Sequence, residues 1–183
     1  MFLSIIFIII SSTSLGIFIY NLAAYFITFG PIFLVVFIQN FLNVNSNFPT
    51  KTNIIIISLY GIVLFFLILI GSITGAITIN AASNWIPIYS LSFLIALYIF
   101  FSFFVLVPTV FFSIRLYKTF KDKKLKKKLM YFFIGIFGIL IAFYGLILYN
   151  TWHESLFRLI WPIVSLLTIP SGYLIYYGIG RDL

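Results

Sequence analysis

The sequence predicts an all-α fold, a polytopic helical bundle that crosses a membrane about five times as a single domain over residues 1–183. Three observations predict it. The chain is 63% hydrophobic and 8% charged, with a mean hydropathy of +1.23, a composition that 183 residues could not bury in a soluble domain. Its apolar residues fall in long runs parted by short polar segments, and a helix needs roughly 20 such residues to cross hydrocarbon. Its basic residues are gathered in one place. Of 11 Lys and Arg, all but Lys51, Arg158 and Arg181 lie within residues 115–128, RLYKTFKDKKLKKK.

Residues 1–42 carry no charge. As one helix they would reach about 60 Å, twice the ~30 Å hydrocarbon core. Gly30-Pro31 supplies a break, because proline lacks an N–H and its ring clashes with the preceding turn. The favoured reading is one kinked span over 13–42, its outer end marked by Ser11, Ser12, Thr13 and Ser14, with residues 1–10 lying outside it. The alternative is a tight helical hairpin turning at Asn21-Leu22-Ala23-Ala24, which is poor turn chemistry. The first ten residues, MFLSIIFIII, lack the basic start and small-residue cleavage site of a signal peptide.

A polar loop at 43–53 holds Pro49 and Lys51, and the second span covers 54–79. The loop at 80–90 contains Trp85 and Pro87. The third span, 91–114, contains Pro108 and leads into the basic loop 115–128, where Leu125 and Leu129 extend the flanking helices past the membrane as a short hairpin. The fourth span is 129–149, a polar connection follows at 150–158, and the fifth span is 159–179.

Loops rich in Lys and Arg stay on the cytoplasmic face, which places 115–128 inside and, with five spans in a cell membrane, the N-terminus outside and the C-terminus in the cytoplasm. Two other features agree. Lys51 and Arg181 fall inside, and Trp85, Trp152 and Trp161 fall at the outer interface, where amphipathic rings prefer to sit.

Faces within the spans follow from spacing. Gly135, Gly138, Ala142 and Gly145 share one face of the fourth span, so a neighbouring helix can approach closely there. Gly71 and Gly75 form a GxxxG near the outer end of the second. For both, packing within the chain is the simpler reading than a seam between copies. Ser14, Asn21, Tyr25 and Thr28 lie along one stripe of the first span, and Tyr98, Ser102, Thr109 and Ser113 along one stripe of the third. In the fifth, Ser165, Thr168 and Gly172 align beside Pro170, whose missing N–H frees a carbonyl for nearby hydroxyls. These stripes read either as interhelical hydrogen bonding or as a small polar pocket for an uncharged ligand, with Asn21, Tyr25, Tyr98, Ser102 and Thr109 as its candidate lining.

The absences narrow the function. No Asp, Glu, Lys, Arg or His falls inside any span, which argues against a pump, a proton-coupled transporter or a retinal protein. There is no cysteine, one histidine (His153) and three acids (Asp122, Glu154 and Asp182), too few for a metal centre or a histidine-based triad. The expectation is a non-enzyme without cofactor. Trp152-His153-Glu154 reads as an interfacial loop in which Glu154 pairs with Arg158 one turn on. The +8 net charge comes almost entirely from one loop and does not describe a nucleic-acid-binding face. Lys121, Lys123, Lys124, Lys126, Lys127 and Lys128 set topology, and they would also attract anionic lipid headgroups or an acidic protein at about 1 kcal/mol each.

The order of features in the second half resembles a known module. A span ends in a charged loop, a Gly-rich span follows, then a short outer loop, then a final span closing on Tyr176-Tyr177-Gly178-Ile179-Gly180-Arg181. This is similar to the last three helices of the seven-helix membrane sensor modules found at the N-termini of prokaryotic histidine kinases, and of stand-alone archaeal relatives. The first two spans would match that module's third and fourth helices. Two front helices have no counterpart and no output domain follows Leu183, as in a stand-alone relative or a partial reading frame. The resemblance implies a sensor-like or receptor-like helical module and carries over no functional residue. Read without it, the sequence also allows a small passive transporter or channel subunit for neutral solutes, or a membrane scaffold subunit.

Overall fold

The computed structural model describes residues 14–42, 50–79 and 86–179. Residues 1–13, most of the 43–53 loop, Trp85 and Arg181 lie outside the described residues. Five helical segments are long and apolar enough to cross a membrane: Ile17–Leu42, Lys51–Ile73, Leu91–Thr119, Lys123–Thr151 and Ser155–Ile179. The chain is a multi-pass membrane protein.

The first span is kinked, not folded into a hairpin. Helix α1 (Ser14–Phe29) and helix α2 (Ile32–Leu42) meet at a turn over Gly30-Pro31, and Asn21-Leu22-Ala23-Ala24 sits inside α1. Breaking a helix in hydrocarbon strands backbone carbonyls, and side chains must satisfy them. Here Tyr60 does so. From helix α3 (Thr50–Ile73), its hydroxyl donates to the Thr28 carbonyl at 2.7 Å. Tyr60 is wholly buried, with its ring against Phe29, Phe100 and Phe104. Gly61 beside it leaves room for α1, since a Cβ there would stand 2.9 Å from the Phe29 ring and 3.0 Å from the Tyr25 hydroxyl.

The second span is shorter than 54–79. Helix α3 ends at Ile73, and Gly75, at a φ of 70°, turns the chain into a two-stranded antiparallel ribbon. Strand β1 (Ile77–Thr78) pairs with β2 (Ile88–Tyr89), Ile77 opposite Tyr89. The expected GxxxG face therefore does not exist, because its second glycine lies beyond the helix. Gly71 alone makes a close approach, to the Phe93 ring.

Helix α4 (Leu91–Phe101), capped by Ser90 accepting from the Phe93 N–H, runs through a π-helical turn at Ser102–Leu106 into α5 (Val107–Thr119). Pro108 explains the turn: its ring would crowd the Phe104 carbonyl of an ordinary helix, and widening the coil relieves it. A connection of three residues, 120–122, joins α5 to α6 (Lys123–Thr151), whose first turn is capped by Asp122 accepting from the Lys124 N–H at 2.9 Å. Over 29 residues α6 reaches about 43 Å, so its lysine-bearing first turns project beyond a ~30 Å core as a helical hairpin with α5.

The fifth span is two segments, α7 (Ser155–Ser165) and α8 (Thr168–Ile179), meeting at Leu166-Leu167. Hydroxyls do cover backbone here, though not the carbonyl that Pro170 frees: Ser165 donates to the Pro162 carbonyl, Thr168 to that of Ser165, and Ser171 to that of Leu167, at 2.7–2.8 Å. Helix α8 lies tight against α6. A Cβ on Gly135 would come 2.5 Å from the Ser171 carbonyl oxygen, one on Gly138 would strike the Ser171 hydroxyl, and one on Gly178 would come 2.7 Å from Phe132 Cβ. Gly145 accommodates the Trp161 ring of α7. Ala142 departs from the expected seam, because it borders an open groove.

Gly138→Leu should therefore destabilise the protein in detergent by about 1–3 kcal/mol or more, as overpacking does. Ile141→Leu, at an exposed position, should be neutral. Equal thermal unfolding of the two variants would show that α6 and α8 do not depend on this seam.

Candidate functional site

Polar side chains on helices in hydrocarbon must find partners, so their partners reveal what the stripes are for. Asn21 Nδ2 donates to Ser72 Oγ at 2.6 Å, tying α1 to α3. Tyr25 stacks on Phe29 and meets Phe65 edge-on. Thr28 donates to the Ala24 carbonyl of its own helix at 2.6 Å. On α4, the Tyr98 hydroxyl donates to the Tyr144 carbonyl at 2.8 Å, and the Ser102 and Tyr144 hydroxyls share a bond of 2.8 Å.

The five predicted pocket residues are not brought together. Tyr98 and Ser102 converge on Tyr144. Asn21 and Tyr25 share a separate lateral recess of about 310 Å³ with Phe65 and Ile68, where the Asn21 Oδ1 is buried without a partner. Thr109 lies elsewhere, one turn from Ser113 on the buried face of α5, which packs along α2. The Thr109 and Ser113 hydroxyls are both buried without a hydrogen-bond partner.

The basic residues are brought together. Lys121, Lys123, Lys124 and Lys127 are exposed on the α5–α6 hairpin, beside Arg115 and Lys118. Lys126 lies over the Tyr117 ring at 5.0 Å, and Lys128 is partly buried at the base. At the opposite end, Glu154 does not pair with Arg158. Its carboxylate instead caps α7, accepting from the Phe157 N–H at 3.1 Å, while Arg158 lies over the Tyr149 ring at 5.6 Å. His153 is exposed, and among the described residues no three His, Cys, Asp or Glu side chains gather as metal ligands do.

A cavity that the stripes did not indicate lies at that same end, between α1, the ribbon, α4 and α6. It measures about 250 Å³, and Tyr20, Ala24, Pro87, Tyr89, Leu97 and Asn150 are among its walls. Its polar end is a pair of phenols, Tyr20 and Tyr89, with hydroxyls 2.6 Å apart and Asn150 within hydrogen-bonding reach of Tyr89. Burial pushes the Tyr89 phenol up, against the opposing pull of its bonds to Tyr20 and Asn150, so it stays neutral and able to donate. The remaining wall is mostly hydrocarbon, and Thr28 on it donates its hydroxyl to its own helix. Such a space suits a small uncharged molecule with an apolar body and one hydrogen-bonding group. In the sequence, the only signals were the small residues Ala23-Ala24 inside an otherwise bulky helix and the Ile-Tyr pair after Pro87.

Comparisons with known protein families, with curated proteins and with solved structures find no match to this chain.

Two substitutions separate satisfied from unsatisfied buried hydroxyls. Tyr60→Phe leaves the Thr28 carbonyl without its donor and should cost about 1–3 kcal/mol, whereas Thr109→Val removes an unpartnered hydroxyl and should be neutral or stabilising. Thermal unfolding in one detergent compares them directly, and a loss at Thr109 as large as that at Tyr60 would mean that Thr109 has a partner.

Proposed function

We propose that the chain is a non-enzymatic, sensor-like membrane module that receives a small uncharged ligand at one end and reports it at the basic hairpin. One observation carries the reading. Helices α4 and α6, which wall the Tyr20–Tyr89 cavity, are the helices whose continuations form the hairpin. A ligand that spreads or draws together their outer ends would be felt at Phe120–Asp122. The π turn and Pro108 lie between the two ends on α4–α5, where a helix bends most readily.

The polar stripes support the same choice over passive transport. A conducting path needs hydroxyls that line a continuous opening, and here Asn21, Ser72, Tyr98, Ser102 and Tyr144 close on one another. Orientation belongs to this proposal as well. The lysine hairpin would face the cytoplasm, where it could also gather anionic lipid headgroups.

Binding tests the cavity. Indole and 1-octanol, each an apolar body with one donor, should raise the unfolding temperature of the wild type in detergent, and Leu97→Trp, which fills the cavity, should abolish the rise. Reconstituted protein should pass neither glycerol nor urea faster than empty vesicles do. Sustained solute flux would replace the sensor reading with a channel.

Cysteines placed singly at Thr119 and His153 test the orientation. An impermeant thiol reagent applied outside intact cells should label only His153→Cys, and labelling of Thr119→Cys would invert the topology.

A further inference from the structure

A recess wider than the Tyr20–Tyr89 cavity has no part in the proposal above. It is a lateral groove of about 610 Å³ between α6 and α7, walled by Ile139, Ala142, Leu146 and Tyr149 on one side and by Trp161 and Pro162 on the other. Helix α7 has no buried residue, and beside the contact of its Trp161 ring with Gly145 it leaves this groove open. Ser165 and Thr168 border the groove but spend their hydroxyl protons on their own backbone, which leaves the walls effectively hydrocarbon. From Ile139 to Tyr149 the α6 wall rises about 15 Å, half of a ~30 Å core and thus the depth of one leaflet.

Beside Tyr149 of this groove stands a cation with no acidic partner among the described residues. The Arg158 guanidinium lies over the ring of Tyr149, itself a groove residue, and its Nε and Nη2 are buried without a hydrogen-bond partner. The nearest acid in sequence, Glu154, is committed to the α7 cap. A buried charge without a counter-ion is costly, so a site of this kind is completed by an anion from outside the chain. The level is that of a membrane interface, since Trp152, Phe157 and Trp161 stack in series beside it at centroid distances of 5.3 and 5.7 Å.

We propose that this groove is a phospholipid-binding site: one acyl chain lies between α6 and α7, and the lipid phosphate sits on Arg158. Hydrocarbon walls one leaflet deep, ending in an unpaired guanidinium at headgroup level, match a phospholipid in both chemistry and length. An arginine also suits phosphate, because a guanidinium forms strong charge-assisted hydrogen bonds to it. The site lies at the end of the bundle opposite the lysine hairpin, whichever way the protein is oriented. It does not depend on the Tyr20–Tyr89 cavity being a ligand site.

Native mass spectrometry of the full chain in detergent can test the site by titration with lipids. Dioleoylphosphatidylcholine is the probe, because it carries a phosphate but no net charge and so does not report on the lysine hairpin. One molecule per chain should be retained, and dioleoylglycerol, with the same chains and no phosphate, should bind on the order of tenfold more weakly, the scale of one charged hydrogen bond. Arg158→Gln should remove that preference, Arg158→Lys should restore part of it, and Ala142→Phe should block retention of both lipids. Equal binding of the two lipids to the wild type would overturn the proposal, and that comparison needs no variant to fold. Competition by inorganic phosphate as effective as the phospholipid would reduce the site to an anion site. Dimers that Ala142→Phe abolishes would instead make the groove an interface between two copies of this chain.

Discussion

Every helix break inside the bilayer strands backbone carbonyls where no water can reach them, and this constraint shapes the molecule more than any other. The chain breaks its helices at Pro31, at Pro108 and around Pro162 and Pro170. Each break is answered locally. Tyr60 reaches across from α3 to the Thr28 carbonyl, the π turn gives Pro108 its room, and Ser165, Thr168 and Ser171 cover the joint between α7 and α8. Tyr60 does the most, because it joins a backbone repair to the centre of the aromatic core. Moving it would disturb the kink of α1–α2 and the stacking of Phe100 and Phe104 together.

Packing is uneven as a consequence. Where residues are small, helices touch backbone to backbone, and α8 is held to α6 by Gly135, Gly138 and Gly178. Where α6 carries Leu146 and Tyr149, α7 stands off and a groove opens. The last span is thus anchored at one end and loose at the other. The same helix α6 walls the Tyr20–Tyr89 cavity, the α7 groove and the α8 seam, so disturbance at one would be felt at the others.

Much of the fold was legible because membrane helices announce themselves by length and by loop charge. The Gly30-Pro31 kink, the glycine seam, the hydroxyls of the last span and the hairpin extended by Leu125 and Leu129 all follow from residue chemistry along one helix. Less could be read where partners come from afar. Gly71 and Gly75 have the spacing of a helical face, but that spacing cannot show that α3 stops at Ile73. Glu154 sits four residues before Arg158, as an ion pair would, yet the N-terminus of α7 is the stronger claim on its carboxylate. The pocket stripes are not brought together for a related reason. A stripe places residues on one side of one helix, whereas a cavity needs gaps between several, and Tyr20, Tyr89 and Asn150 belong to separate segments.

The π turn also has a consequence for rotational phase. Counted from buried Leu97 at about 3.6 residues per turn, an uninterrupted helix would return to the buried side at residue 115, which is arginine. The turn at Ser102–Leu106 inserts close to one residue of delay, so Leu116, 1% exposed, takes the inward position and Arg115 faces out. The delay lets one buried face run from Leu97 through Val105, Thr109 and Ser113 to Leu116 without carrying a charge into the core. Winding the π turn into regular α at unchanged length would rotate Arg115 inward, whereas deleting one residue from it would remove the delay and leave Leu116 facing in.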